Sequence, residues 1–215
     1  MKSLLKEMST PAVLLTAFAL VCTLLLALIH AATQDRIAAN ERQALLEQVN
    51  TLIAPSRYDN QPLQDQIILP AEALGSAAPV TVYRARAQGQ PVAAVFVTTA
   101  PDGYSGRIRL VVGVNADQTV AGVRVLAHQE TPGLGDRIEA SKSPWILGFA
   151  GRSLQQPPAK QWAVKKDGGA FDQFTGATIT PRAVVGSAKA VLLWSNAHWD
   201  ALFGQTFEAK HEFIQ

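Results

Sequence analysis

Residues 172–181, with the sequence DQFTGATITP, combine several groups that can hold a phosphate. Thr180 is a good N-cap for a following helix, because its side-chain oxygen can accept a free backbone N–H. Pro181 then suits the first helical position, where no N–H is needed. A helix start carries partial positive charge, and Gly176 allows the backbone to approach a ligand closely. The segment therefore predicts a binding site for a phosphate-bearing cofactor, with an ordinary capped helix as the alternative.

A sheet and a long helix are predicted to position this segment. Stretches rich in β-branched residues indicate strands at 80–87, 91–99, 107–114 and 119–127. Gln88-Gly89-Gln90 suits a hairpin turn between the first two. A short helix is expected over Arg137–Phe149, interrupted or restarted by Pro144. Helical spacing of apolar residues from Pro181 to about Phe203 completes an α+β fold, with an antiparallel sheet and flanking helices.

The N-terminal region predicts a single membrane-spanning helix. No charged residue lies between Glu7 and Asp35. The apolar run at residues 11–32 is long enough to cross a bilayer core of roughly 30 Å. A cleaved signal peptide is the alternative, but its apolar core is usually only about 7–15 residues long. The run is therefore interpreted as an uncleaved, single-pass anchor.

The chain is accordingly divided into four parts. Residues 1–10 are expected to be cytoplasmic, 11–32 to span the membrane, 33–62 to form a helical stalk and linker, and 63–215 to form the large domain. Basic residues lie on both sides of the apolar run, so the positive-inside count nearly ties and the free amino group favours a cytoplasmic N-terminus. An imperfect apolar stripe over 34–53 could pack on the domain or on a neighbouring protein.

Composition excludes several classes of protein. The formal net charge is only +2, so no nucleic-acid partner is indicated. The single cysteine, Cys22, rules out an internal disulfide and a cysteine-ligated cluster or zinc site, and the four histidines show no metal-ligand spacing. No metal site is predicted. Since no Gly-x-Gly-x-x-Gly turn or Walker lysine motif occurs, a nucleotide-oxidising site is not expected, and the chain has no complete catalytic site of its own.

Three segments carry a resemblance to a known family. Residues 172–178 resemble the flavinylation motif Asp-x-x-Ser/Thr-Gly-Ala-Thr of FMN-binding subunits of bacterial respiratory complexes. Residues 128–135, HQETPGLG, are similar to that family's His-x-Glu-Thr-Pro-Gly-Leu-Gly motif. The run 164–174, VKKDGGAFDQF, looks most like the RnfG component of the Rnf/Rsx ion-translocating electron transport complex. Two motifs in this order make the resemblance specific, and it extends over nearly the whole chain.

The resemblance implies FMN joined through its phosphate to the Thr178 hydroxyl as a phosphoester. Thr175 would offer a hydrogen bond, while Gly176 and Ala177 would leave room around the phosphate. Asp172 repels a phosphate, so we expect the enzyme that attaches the flavin to recognise it, or expect it to cap the local turn. These residues form the first half of the predicted cofactor site.

The second half is the loop from Glu130 to Gly135, which we expect to approach the flavin ring. Leu134 would pack on a ring face and Thr131 would bond its polar edge. The remaining candidates are Glu130, Gly133, Gly135, Trp145 and Lys165. For Trp145 a core aromatic is the alternative, and for Lys165 with Lys166 an exposed solvated face.

The role implied by the resemblance is electron relay. The chain would carry covalent FMN in the periplasm, anchored in the bacterial inner membrane, as one part of an Rnf/Rsx-type ion-translocating oxidoreductase. Its partners would be the other proteins of that complex and a flavin transferase. Two alternatives remain at this point: the FMN-carrying component of a sodium-translocating NADH:quinone reductase, which shares the motif, and a membrane-tethered scaffold module with Thr178 unmodified.

Overall fold

Two long helices and a five-stranded sheet are the main elements of the part of the chain that the structure describes. The computed structural model describes residues 2–204. Helix α1 spans Lys2–Leu52 and helix α2 spans Ile179–Gly204, with the sheet between them in chain order. The chain divides into two compact units after Glu47. The first unit consists of helix, and the second contains the sheet and everything that packs on it.

Helix α1 includes a candidate membrane span. Its segment Ala12–Leu52 contains a window with mean hydropathy 2.8, and none of that window is buried. Large apolar side chains such as Leu14, Phe18 and Leu26 are about two-thirds exposed. Among residues 2–204 this is the one helix long and apolar enough to cross a bilayer, judged by length and composition.

The sheet is an antiparallel meander in the order β1-β2-β3-β4-β5. Its strands are β1 Gln66–Leu69, β2 Val80–Ala87, β3 Gln90–Ala100, β4 Ile108–Asn115 and β5 Val120–Ala127. The four predicted strands are confirmed within about one residue at each end. Strand β1 was not predicted. The prediction of an α+β fold with an antiparallel sheet is confirmed.

The β2–β3 hairpin turns on Gln88 and Gly89, whose φ angles are 52° and 76°. Two positive φ angles in a two-residue loop characterise a type I′ turn, whose twist matches that of the paired strands. Glycine tolerates this conformation without strain, whereas glutamine adopts it at some cost. The turn brings Ala87 opposite Gln90 and thereby sets the register of the sheet centre.

One face of the sheet packs against α2 to form the main core. Val82, Phe96, Val112 and Val123 pair in sequence across four strands and are all fully buried. The α2 side chains that belong to the same core recur at helical spacing; they are Val184, Val185, Ala188, Val191 and Leu192. This packing fixes the start of α2 relative to the sheet.

The last turn of α1 packs on the opposite face. Gly113 and Gly122 face each other on β4 and β5. A Cβ added to Gly122 would lie 2.7 Å from Leu52 Cδ2, and one added to Gly113 would lie 3.4 Å from Leu52 Cβ. The paired glycines therefore leave the groove that Leu52 fills, and Val49 and Ile53 are completely buried beside it.

Irregular structure between β5 and α2 is organised by an aromatic cluster. Phe149 stacks on Phe171 at 4.7 Å between ring centroids, and Trp145 meets Phe149 and Phe174 edge-on at 5.2 and 5.1 Å. Trp162 contacts Phe171 at 5.0 Å. Such pairs gain about 0.5–1.5 kcal/mol each beyond the burial of their area. The cluster thus provides a hydrophobic core for residues 128–178, which contain no α-helix and no strand of the sheet.

The prediction of one helix over Arg137–Phe149 is wrong about the type of helix. Two short 3-10 helices occur instead, Gly135–Ile138 and Pro144–Phe149. Pro144 starts the second one, where its missing N–H costs nothing, and the Ser143 hydroxyl accepts the Trp145 N–H at 3.2 Å. Further 3-10 turns lie at Pro55–Arg57, Ala71–Leu74, Ala159–Gln161 and Lys165–Asp167.

Two arginines of strand β2 donate hydrogen bonds to the end of α2. Arg84 Nη1 donates to the Leu202 carbonyl at 2.9 Å, and Arg86 Nη2 donates to the Phe203 carbonyl at 3.0 Å. Asp65 pairs with both guanidinium groups. Cations on the last carbonyls of a helix oppose its negative end, so these contacts stabilise α2 at the terminus remote from the predicted site.

Candidate flavin site

The motif segment 171–178 is held by buried aromatic residues and exposes a tight turn. Phe171 and Phe174 are 4% and 6% exposed, whereas Thr175 and Gly176 are exposed. The Ala177 N–H donates to the Phe174 carbonyl at 3.1 Å and closes the turn. Gly176 has a φ of 81°, which a type II turn requires at this position. The turn presents Thr178 directly before α2.

Helix α2 begins earlier than predicted. It starts at Ile179, so Thr180 and Pro181 both lie inside its first turn and are buried. The Arg182 N–H donates to the Thr178 carbonyl at 3.3 Å, as expected when Thr178 is the N-cap residue. Pro181 is tolerated because the N–H groups of the first turn have no partner within the helix. The prediction of Thr180 as N-cap is therefore wrong.

The loop from Thr131 to Gly135 is a compact turn held by its own backbone. The Leu134 and Gly135 N–H groups both donate to the Thr131 carbonyl at 3.1 Å. Gly133 has a φ of 78°, and its N–H bonds to the Asp136 carboxylate. That hydrogen bond, together with Lys142, lowers the pKa of Asp136. The loop leaves the Leu134 side chain 44% exposed.

The two motif segments meet in space. A Cβ added to Gly176 would lie 3.7 Å from Leu134 Cδ2, which is ordinary contact distance. A Cβ added to Gly135 would lie only 2.9 Å from Thr180 Oγ1. Leu134 therefore packs beside the Thr175-Gly176 turn, and Gly135 packs beside the first turn of α2. Residues far apart in sequence form one surface next to Thr178.

Glu130 lies beneath this surface and is 4% exposed. Its Oε1 accepts the Ser105 N–H at 3.0 Å, and its Oε2 accepts a hydrogen bond from the Thr180 hydroxyl. The Glu130 N–H donates to His128 Nδ1 at 3.0 Å, which leaves His128 Nε2 as the nitrogen that donates to Glu139 Oε1 at 3.0 Å. Both carboxylate oxygens of Glu130 thus bind protein donors.

The Ser105 contact brings in a third segment, which the sequence patterns did not predict. The loop at 101–107 follows β3 and carries Tyr104, which is 67% exposed. Gly103 lies against the same carboxylate, since an added Cβ would be 2.9 Å from Glu130 Oε1. The signal that could have found this loop is an aromatic residue among Gly103, Ser105 and Gly106, a composition typical of binding loops.

Trp145 belongs to the aromatic cluster and also touches the motif segment. Its Nε1–H donates to the Asp172 carbonyl at 2.8 Å, while its ring packs on Phe174. The Asp172 carboxylate forms an exposed ion pair with Lys165, with Nζ 2.5 Å from Oδ1. Lys165 is thus beside the motif, and its charge offsets that of Asp172. Lys166 contacts the segment through its backbone N–H, which donates to Gln173 Oε1 at 3.2 Å.

A cleft of about 290 Å³ lies beside α2, beginning four residues beyond Thr178. Its α2 wall is made of Arg182, Ala183, Gly186 and Ser187, and its other wall of Leu74, Gly75 and residues 100–102. Arg182 forms a bidentate pair with Asp167 at 2.6 and 2.9 Å, and this pairing lowers the pKa of Asp167 and raises that of Arg182. Small side chains on α2 provide the open space.

These features fit a phosphate-bearing cofactor. The half-buried Thr178 stands at the positive end of a 26-residue helix. Gly176 and Ala177, two of the smallest residues, precede it. Lys165 lies close enough to compensate Asp172. Exposed apolar side chains of Leu134 and Ile179, at 44% and 42%, flank the position and offer surface to an aromatic ring.

Comparison with known proteins identifies the family. Residues 103–193 match the family model described as FMN-binding domain, and residues 1–52 match that of the RnfG N-terminal region. A protein of Pseudoalteromonas atlantica is 48% identical over 200 residues, which is 93% of each chain. One of Pseudomonas aeruginosa is 49% identical over 208 residues, 96% of this chain and 97% of the relative. Both are named as the G component of an ion-translocating oxidoreductase complex.

The chain belongs to the RnfG family. A relative from Shewanella loihica with the same name is 47% identical over 193 residues, covering 89% of this chain and 91% of its own. The FMN-binding match includes all three segments that meet at the site: the loop at 101–107, from residue 103 onward, the loop at 130–136 and the turn at 174–178. In this RnfG family member the FMN-binding domain is therefore the part that builds the surface around Thr178. The quinone reductase alternative is not supported by these relatives.

Proposed function

We propose that this RnfG family member is a membrane-anchored flavoprotein that relays electrons within an ion-translocating oxidoreductase complex. The position of Thr178 carries the proposal: this hydroxyl-bearing residue ends a glycine turn and directly precedes α2, next to the loop that presents Leu134. FMN, when bound, accepts and releases electrons singly or in pairs and so can connect one-electron and two-electron carriers.

The proposed linkage is a phosphoester between Thr178 Oγ1 and the FMN phosphate. The threonine oxygen forms a bond to the flavin phosphorus as the pyrophosphate bond of an activated flavin nucleotide breaks; the nucleoside monophosphate leaves, and the hydroxyl proton is released. No electrons are exchanged in this step. A flavin transferase would catalyse it, and the exposed pair of Asp172 with Lys165 lies where such an enzyme could recognise the motif.

The residues around Thr178 have separate roles in this proposal. The first turn of α2 would stabilise phosphate charge through its partial positive charge. Thr175 would add a hydroxyl, and the thin backbone at Gly176 and Ala177 would admit the phosphate. Leu134 would exclude water from one face of the ring, and Thr131 would bond its polar edge.

The anchor would keep the flavin close to membrane partners. The candidate span in α1 supports attachment to the inner membrane, and we propose that the domain lies in the periplasm with the other proteins of the complex as its partners. Covalent attachment would prevent loss of the cofactor in a compartment where it is not readily replaced.

Intact mass of the full-length protein, extracted from the membrane of its own host, tests the proposal. One FMN phosphoryl increment is expected on the wild type, with fragmentation placing it on Thr178. Thr178→Val, which keeps the shape but removes the hydroxyl, should carry no increment. Thr178→Ser restores a hydroxyl and serves as the matched control, because it should be labelled again. An unmodified wild type, or a labelled Thr178→Val, would contradict the proposed linkage and favour the scaffold alternative.

A further inference from the structure

A buried carboxylate connects three segments of the domain. Glu130 accepts the Ser105 N–H through Oε1 and the Thr180 hydroxyl through Oε2, across 25 and 50 positions of sequence respectively. With 4% of its surface exposed, the side chain has almost no face left for a ligand. A buried carboxylate is costly unless it is hydrogen-bonded, so both donors are needed to keep it there.

Thr180 is completely buried and lies two residues beyond Thr178. The first backbone hydrogen bond of α2, from the Arg182 N–H to the Thr178 carbonyl, is long at 3.3 Å compared with the usual distance of about 2.9–3.0 Å. Helix ends fray when few contacts hold them. The hydrogen bond from Thr180 to Glu130 therefore adds a buried polar contact at the helix start, beside the core packing of Val184 and Val185 and the surface pair of Arg182 with Asp167.

Two glycines surround this contact and keep it closed to larger groups. A Cβ on Gly135 would lie 2.9 Å from Thr180 Oγ1, and one on Gly103 would lie 2.9 Å from Glu130 Oε1. Each glycine comes from one of the loops that meet at the site. The backbone of both loops is thus packed directly on the Glu130–Thr180 pair, so a shift of the pair would move both loops.

We propose that Glu130 and Thr180 are a positioning pair: they hold Thr178 and the two loops in the arrangement that receives the flavin, without touching it. The inference rests on the proposed attachment at Thr178. Reaction rates fall steeply when a nucleophile is misplaced, and a displacement of about 1 Å can lower a rate about 100-fold. Loss of the pair would remove the contact nearest Thr178 and let its hydroxyl shift from the position that the transferase requires.

The test uses full-length protein made without attached flavin, a purified flavin transferase and flavin adenine dinucleotide as the activated donor. Initial rates of attachment are read from fluorescence of the denatured chain in gels. Thr180→Val should lower kcat about 10- to 100-fold while changing the KM for the chain less than about threefold, because the surface recognised by the transferase is unaltered. Thr180→Ser keeps the hydroxyl and should restore most of the rate.

A matched control separates positioning from general stability. Ser195 is also completely buried, and its hydroxyl donates to Gln118 Oε1 at 3.0 Å, far along α2 from the site. Ser195→Ala removes the hydrogen bond of a buried hydroxyl on the same helix and should label at the wild-type rate. Hydrogen exchange supplies a local readout: the Arg182 amide should exchange faster in Thr180→Val than in Ser195→Ala.

Glu130→Asp tests the pair from its other side. It keeps the charge but shortens the side chain by one methylene, so it cannot reach both donors, and the same loss in kcat is expected. Attachment at the wild-type rate in Thr180→Val or in Glu130→Asp would overturn the positioning role. A wild-type chain that accepts no flavin would instead overturn the proposed function, so the two failures are distinguishable.

Discussion

Gly135→Ala is expected to destabilise the domain, because the added methyl group would overlap neighbours that cannot withdraw. Its Cβ would lie 2.9 Å from Glu130 Cβ, 2.9 Å from Thr180 Oγ1 and 3.0 Å from Glu130 Oε2. Favourable contacts between carbon atoms lie at about 3.5–4.0 Å. The Glu130 Cβ is attached to the main chain, so only a shift of the loop backbone would relieve the overlap.

The size of the effect is estimated from the usual cost of overpacking a core. Overpacking of a well-packed core typically costs about 1–3 kcal/mol. For a domain of this size, about 1 kcal/mol lowers Tm by about 2–4 °C, so a decrease of roughly 2–12 °C is expected. The same movement would displace Thr180 from Glu130.

Gly186→Ala is the matched control. The added Cβ meets nothing within 4 Å, and the residue lies inside α2. Alanine is favoured over glycine in a helix interior by roughly 0.5–1 kcal/mol, so Tm should rise slightly. The two glycine replacements therefore have opposite expected signs.

Tryptophan fluorescence during thermal unfolding is the appropriate assay. All four tryptophans lie between residues 145 and 199, so the signal reports the second unit and not the membrane helix. The full-length chain in detergent, without attached flavin, is compared at one pH and scan rate. A Gly135→Ala protein as stable as the wild type would refute the packing argument, as would a destabilised Gly186→Ala protein.

Three further outcomes are expected. Phe149→Ala should cost about 3–5 kcal/mol by unfolding in urea, because it empties the centre of the aromatic cluster. Asp65→Ala should cost about 3 kcal/mol in the same assay, since it removes the carboxylate that pairs with the buried Arg84 guanidinium; Asp65→Asn should cost less. The Gly133 N–H lowers the pKa of Asp136. The ionised carboxylate therefore stabilises the folded state fully above its ordinary pKa of 3.8, and this stabilisation is lost as the pH falls through the lower pKa of the folded protein. Asp136→Asn should therefore be less stable than the wild type at pH 7, and the Tm gap should narrow below about pH 4; a gap that widens in acid would contradict this sign.

Much of the fold could be predicted from local patterns. The strands from β2 to β5 alternate or run apolar between turn residues, and the hairpin at Gln88-Gly89 requires a residue that accepts positive φ. Strand β1 was not predicted, because a pattern of four residues is too short to distinguish a strand from a loop. The 3-10 helices near Pro144 were mistaken for one α-helix because apolar spacing does not reveal the hydrogen-bond pattern.

The site could be predicted in part. The motif segments lie within the region that matches the FMN-binding domain model. The prediction that Thr180 caps the helix was wrong. Thr180 lies inside the first turn of α2 and not before it, and its hydroxyl donates to the buried Glu130 carboxylate. The loop with Tyr104 was missed, since nothing local connects it with Glu130.

The sequence by itself indicated strands β2 to β5 and their antiparallel arrangement, a long C-terminal helix, the candidate span and the identity of the motif residues, because those depend on short-range periodicity and residue chemistry. Only the tertiary structure decided that Leu134 lies against Gly176 and that Glu130 connects Ser105 with Thr180. Such contacts join segments 25 to 50 positions apart, and they depend on how α2 and the aromatic cluster pack on the sheet. The physical reason is that local sequence sets which groups are available, whereas close packing of distant segments sets which of them meet.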